Sequence, residues 1–285
     1  MFGKRSDGLE LKKVTPIFKL MPNIMMDRSD AHVYFNQDVA LSGIQEYISK
    51  KSEEGINLTV LDVIFSAVVR IIAERPKLNR FAIRGRIYAR KGITLSIAIK
   101  KSLTDEGEET TLKVHFDGTE NIFEVKEKLQ KLISENKDTN MSNDTDKTAK
   151  LLSKIPTGIM IKAVKLIKFL DNHGKLPKSL IEVSPFHTSC FITNIGSLGI
   201  DSIYHHLYNF GTTSMFFAIG KKKKSYIFGE NEIKEDKSIN LAFVGDERIC
   251  DGYYFAHSFR VLAKYLKRPK LLEEKLENMS VDPDL

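Results

Sequence analysis

Residues 239–252 read Ile239-Asn240-Leu241-Ala242-Phe243-Val244-Gly245-Asp246-Glu247-Arg248-Ile249-Cys250-Asp251-Gly252. The first half, apolar apart from Asn240, reads as a buried strand. The second half places Asp246, Glu247, Arg248 and Asp251 in a short loop, and Gly252 lets the backbone turn into a helix expected over Gly252–Leu266. A charged loop held between two buried elements is a common place for reactive groups.

Outward from this stretch, the last third of the chain is rich in strands, expected at Ser189–Asn194, Ser214–Gly220, Ser225–Gly229 and Ile239–Gly245. Upstream, His32–Val39 reads as a strand and Ser42–Ser52 as a helix. Leu58–Glu74 has helical spacing, with Val60, Leu61, Ile64, Ala67, Val68, Ile71 and Ile72 on one face and Pro76 as the stop. Short strands follow at Phe81–Arg84, Arg86–Arg90 and Ile93–Lys100, punctuated by Gly85 and Gly92, then Thr110–Phe116. A helix is expected at Asn121–Ser134, a mobile surface loop at about 136–147, and a charged helix near Leu271–Asn278. Helices fall between groups of strands rather than after each one. This predicts an α/β protein of the α+β sandwich type: a mixed sheet with helices packed on one face, in one domain over 14–280 behind an arm, or edge strand, at 1–13.

Leu151–Leu170 reads as an apolar helix interrupted at Pro156 and Gly158, with Lys162, Lys165 and Lys168 in a polar stripe. The expectation is a helix docked on its own domain or on a partner subunit; a membrane-surface helix is the alternative.

With 285 residues, 42% of them hydrophobic, the chain can bury a full core. It contains no run of about 18 uncharged apolar residues, so no membrane span is expected. The N-terminus lacks a secretory apolar core, and Cys190 and Cys250 make no disulfide framework, so a reducing, cytoplasmic setting is expected. A net charge of +7 suits nucleic acid, an anionic membrane or a phosphate-bearing cofactor without choosing among them. The densest basic run, Lys221–Lys224, reads as a solvated turn or strand end. Without metal-ligand spacing or a helix-turn-helix pattern, neither a metal nor nucleic acid is expected.

The stretch from Asp246 to Gly252 resembles the His-x-x-x-Asp-Gly motif of chloramphenicol acetyltransferases and of the acyltransferase component of 2-oxoacid dehydrogenase complexes, where Asp-His-Arg-x-x-Asp-Gly is common. Phe191-Ile192-Thr193-Asn194-Ile195-Gly196-Ser197-Leu198-Gly199 resembles the strand and turn that precede the motif in the dehydrogenase acyltransferases. Phe217-Ala218-Ile219-Gly220 resembles their next core strand, and Arg75–Asn79 and Ile93–Lys100 resemble an earlier helix exit and central strand. The resemblance runs in order over roughly residues 14–280. It implies a homotrimer with sites between subunits, a coenzyme A thioester as co-substrate, and a small thiol, hydroxyl or amine as acyl acceptor. This chain shows no lipoyl domain, so a stand-alone enzyme or accessory protein fits better than a core subunit.

The resemblance places Thr193 as the hydroxyl donor to the tetrahedral oxyanion and Asp251 as the loop-ordering aspartate, paired with an arginine for which Arg28 is the candidate. Arg248 and Gly252 support the loop, and Cys250 is a small buried residue. The departure is Glu247, which stands where the family has its general-base histidine. An imidazole near pKa 6.5 suits that work at neutral pH, whereas a carboxylate near pKa 4.3 needs burial to become comparably basic. Two readings follow: an acyltransferase with Glu247 as its base, or a catalytically inactive trimeric relative with a structural, ligand-binding or regulatory role. His205, His206 and His257 are the histidines that could take over proton work.

Overall fold

The computed structural model describes residues 4–100, 109–136, 154–228 and 233–285. Its strands are β1 (Gly8–Glu10), β2 (His32–Ala40), β3 (Arg80–Ile83), β4 (Arg86–Arg90), β5 (Ile93–Lys100), β6 (Glu109–Phe116), β7 (Cys190–Asn194), β8 (Met215–Phe228) and β9 (Ile233–Asp246). Its α-helices are α1 (Pro16–Ile24), α2 (Ser42–Glu53), α3 (Val60–Glu74), α4 (Ile122–Asn136), α5 (Thr157–Asn172), α6 (Lys178–Val183) and α7 (Gly252–Lys267).

The main sheet is mixed, in the order β2-β9-β8-β7-β5-β6, with β7 parallel to both β5 and β8 and the other pairs antiparallel. A small sheet, β1-β4-β3, stands beside it, so part of the N-terminal arm is an edge strand. One face of the main sheet carries the core. Val39, Leu95, Cys190, Ile192, Phe217, Leu241 and Phe243 pack there against α2, α3, α4 and α7. This is the expected mixed sheet with helices on one face.

Helix α3 shows why the pattern works. Thr59 and Asp62 close its first turn with a reciprocal capping box, and every residue from Asp62 to Ala73 is buried. Each large apolar side chain fully buried there contributes about 1.5–3 kcal/mol. Pro76 follows the helix end at Arg75, as expected.

Two expectations are corrected. Lys221–Lys224 is neither a turn nor a strand end: it lies inside β8, which runs unbroken where two strands were expected, because β9 pairs with it on both sides of an irregularity between Ile219 and Lys222. Lys223 and Lys224 find partners in Asp38 and Glu235. The charged helix near Leu271–Asn278 is absent: a 3-10 turn, Pro269–Leu272, is followed by irregular chain. That chain is held from outside, since buried Arg80 grips Asp282 and Asp284 at 2.6 Å each. Of the two dockings expected for α5, its own domain provides little, for Asp171 is its only buried residue within the chain. Of the loop expected at 136–147, all but Asn136 lies outside the described residues. Helices α1 and α6 were not anticipated; both start beside a proline, and α1 carries Pro22 internally.

Candidate functional site

Strand β9 delivers the charged loop at one end of the sheet. Asp246, its last residue, is fully buried and lies opposite His32 of β2. The Asp246 carboxylate accepts from Arg248 Nε at 2.8 Å and Nη2 at 2.7 Å, and from Arg28 Nε at 3.3 Å. Other donors of both guanidiniums reach backbone carbonyls. Arg28 reaches those of Tyr208, Ala82 and Gly211, and Arg248 those of Met25 and Met26. One carboxylate and two arginines thus tie the loop to the end of α1, to β3 and to the segment before β8. Burial pushes the Arg28 guanidinium below its ordinary value, and Asp246 opposes that shift; arginine still stays charged at neutral pH.

This corrects one expectation. Arg28 reaches the loop at Asp246 and not at Asp251. Asp251 is exposed and is the N-cap of α7, accepting from the Tyr254 amide at 2.7 Å. Gly252 starts α7 as expected, yet its φ is not positive and a Cβ there would meet open space, so the turn does not require glycine. Cys250 is buried, and desolvation raises its thiol pKa well above normal, away from nucleophilic use.

Glu247 follows Asp246 at the turn. Its amide donates to the Ala31 carbonyl at 2.8 Å, fixing the backbone against β2. Its side chain is half-buried and, among the described residues, forms no hydrogen bond or ion pair.

Thr193 sits elsewhere, near the far end of β7. Strand register places Asn36, Ala242, Ala218, Thr193, Ala98 and Thr111 in one row across all six strands, on the face away from the helices. The row is made almost wholly of small side chains, with the Thr193 hydroxyl near its middle. Thr193 is half-buried, and no hydrogen bond of its hydroxyl is seen among the described residues. Beside this row the same face carries Phe191, Phe216 and Val244, covered by Leu207 and Tyr208 from the irregular segment 199–214. The turn Ile195–Leu198 reaches this cover by a close backbone approach: a Cβ on Gly196 would run into the Gly220 carbonyl, and one on Gly220 into the Ser202 amide.

Within one chain the two halves are apart. Glu247 lies five residues beyond Ala242, which is level with Thr193 and two strands away. At about 3.3 Å per residue and about 4.8 Å per strand, they are separated by roughly 19 Å.

The histidines divide cleanly. His205 lies on the Thr193 face, stacked on Phe216 at 4.2 Å, and its Nδ1–H donates to the His206 carbonyl at 3.2 Å, with no partner of Nε2 among the described residues. His206 is exposed, and His257 rides on α7, stacked on Tyr253. The sequence reading passed over His32. Its Nε2 accepts the Leu207 amide at 3.2 Å, so Nδ1 carries the proton and donates to the Tyr34 hydroxyl at 3.2 Å. Burial lowers its pKa. Only strand register could have singled it out, because it lies opposite Asp246.

Among the described residues, no cluster of His, Cys, Asp or Glu could hold a metal ion, and no helix is long and apolar enough to cross a membrane.

Comparison with known proteins agrees with this architecture. The family model for 2-oxoacid dehydrogenases acyltransferase (catalytic domain) matches residues 178–273, which include Thr193 and the Asp246–Gly252 loop. Among solved structures, a probable dihydrolipoamide acetyltransferase from Listeria monocytogenes is similar at 17% identity and TM-score 0.56, over 95% of this chain and 99% of that one. A truncated catalytic core of the 2-oxoacid dehydrogenase multienzyme complex from Thermoplasma acidophilum aligns at 14% identity and TM-score 0.56, over 92% and 99%. Chloramphenicol acetyltransferase aligns at 12% identity and TM-score 0.54, over 91% and 100%. Among curated protein sequences, none matches. The chain therefore has the chloramphenicol-acetyltransferase-like fold, and its matched stretch resembles an acyltransferase catalytic domain.

Proposed function

We propose that this protein is a coenzyme A-dependent acyltransferase, moving an acyl group from a thioester to a small thiol, hydroxyl or amine acceptor in a site formed between copies of a homotrimer. The observation that carries the reading is the pair of half-sites. Thr193 offers an unengaged hydroxyl in a row of small residues, and Glu247 offers an unengaged carboxylate on a rigidly held loop. Each is the group the other lacks, and one chain cannot bring them together.

In this reaction the acceptor's heteroatom attacks the thioester carbonyl and its proton passes to a base. The tetrahedral oxyanion is stabilised by the Thr193 hydroxyl, a donor typically worth about 3 kcal/mol in the transition state. Collapse expels the coenzyme A thiolate, which takes up the proton. Glu247 of a neighbouring copy is the proposed base, and the Asp246–Arg28–Arg248 node holds it in place.

Acetyl-coenzyme A turnover with a panel of thiol, amine and alcohol acceptors tests this. Wild-type activity that collapses in Glu247→Gln supports Glu247 as base. The pH profile of kcat/KM adds a second readout: a carboxylate base gives its acid limb at lower pH than an imidazole base does. The second reading, a non-catalytic trimeric relative with a structural, ligand-binding or regulatory role, is favoured by the carboxylate standing where the family has an imidazole. An inactive wild type with activity appearing in Glu247→His would establish it.

A further inference from the structure

Helix α5 has sixteen residues, yet only Asp171, at its C-terminal end, is buried. That residue is the mooring point: its carboxylate accepts from Arg5 at 2.8 Å and from His187 at 3.1 Å. Along the rest of the helix, Ile159, Leu166 and Phe169 are each more than half exposed, and Lys162, Lys165 and Lys168 are exposed beside them. Helix α1 has the same character, with Leu20, Ile24 and the following Met26 more than half exposed. The C-terminal ends of the two helices meet at one cavity of about 430 Å³, where Pro22, Asn23 and Met26 face Lys168 and Asn172, with Arg84 on the wall. Neither 14–26 nor 154–170 contains a single Asp or Glu.

We propose that this α1–α5 face docks on an anionic lipid surface. Exposed apolar side chains interleaved with lysine, on a helix hardly attached to its own domain, are the make-up of an interfacial helix. The apolar groups enter the boundary between headgroups and acyl chains. The lysine stems lie along it and place their ammonium groups among lipid phosphates. The cavity between the helix ends is lined by Lys168, Arg84, Arg28 and Arg248 against Asp27 and Asp171, a cationic excess with room for a headgroup. Charge favours a lipid surface over a second copy as occupant. Lysine is depleted from the cores of protein interfaces, and a copy of this chain would have to supply a matching acidic face.

Flotation of the full chain with vesicles tests this, using phosphatidylcholine alone and an equal mixture with phosphatidylglycerol. Wild type is expected to float with the mixed vesicles, in a salt-sensitive way, and not with phosphatidylcholine. Each lysine near an anionic surface is worth about fivefold, so Lys162→Gln/Lys165→Gln/Lys168→Gln should weaken partitioning about a hundredfold. Leu166→Ser/Phe169→Ser should weaken it about tenfold or more without changing charge. The control Lys221→Gln/Lys222→Gln/Lys224→Gln removes the same charge from exposed positions of β8 and should stay within about threefold of wild type. Thermal melts confirm that each variant is folded. Three results overturn the proposal: no flotation of wild type, equal losses in the two lysine triples, or light scattering that shows the native assembly falling apart in Leu166→Ser/Phe169→Ser, which gives the face to a second copy.

Discussion

The loop at Asp246–Asp251 and the strand carrying Thr193 are built on opposite principles. The loop is held by buried charge: a fully buried carboxylate is shared by two buried arginines that also bind backbone carbonyls. The Thr193 row is held mainly by backbone pairing, with a side-chain hydrogen bond at its Asn36 end, and no bond of the Thr193 hydroxyl is seen among the described residues. The loop thus spends its polar groups on rigidity and leaves one carboxylate free. The strand needs no polar group for rigidity and leaves one hydroxyl free. Disturbing the first should damage the fold, and disturbing the second should damage only chemistry.

The largest expected effect is on the loop. Asp246→Ala leaves two buried guanidiniums facing each other without a counter-charge, so a loss of about 3–5 kcal/mol is expected in urea unfolding, with activity lost alongside it. Next is Thr193→Val, which keeps shape and removes only the hydroxyl. Stability should change by less than about 1 kcal/mol, while turnover should fall by roughly a hundredfold or more. If Thr193→Val instead unfolded the protein, the contrast between the two regions would be broken.

A smaller effect is expected at Asp251. As an N-cap with one hydrogen bond to Tyr254, its replacement by Ala should cost about 1 kcal/mol, far less than Asp246→Ala. Equal costs would restore Asp251 as the loop's anchor. Gly252→Ala should be neutral or stabilise slightly, by up to about 1 kcal/mol, because the position has an ordinary φ and open space.

The smallest effect concerns pH. Burial depresses the His32 pKa below its unfolded value of 6.5. The unfolded chain therefore takes up a proton more readily, and the stability His32 contributes is complete above about 6.5 and lost as pH falls toward the folded value. Protonation would also cost the Leu207 amide its acceptor. Melting temperature should decline more on acidification in wild type than in His32→Gln; parallel curves would remove His32 from the account.

How much of this was legible in the sequence depends on what fixed each feature. The strand–loop–helix at 239–267 and the buried helix α3 were legible because apolar periodicity and a proline stop are local signals; the capping box of α3 was not read. The lysine run was misplaced because its composition looks like a turn, whereas its conformation is imposed by pairing with β9. Asp251 was expected as the partner of Arg28 because the resemblance places the loop-ordering aspartate there; the pairing with Asp246 follows from β2 lying against β9, which no local signal shows. The row around Thr193 was invisible for the same reason: Ala98, Ala218 and Ala242 become neighbours only once register is known.

The most direct test of the central claim is complementation between two inactive variants. Glu247→Gln and Thr193→Val are unfolded together, mixed in equal amounts and refolded, and turnover is compared with each variant refolded alone. If Glu247 of one copy works with Thr193 of another, about one site in four in the mixed trimers regains both groups, and activity returns to about a quarter of wild type. If both groups act within a single chain, every site in the mixture still lacks one of them. Activity that stays at the level of the separate variants would contradict the shared site.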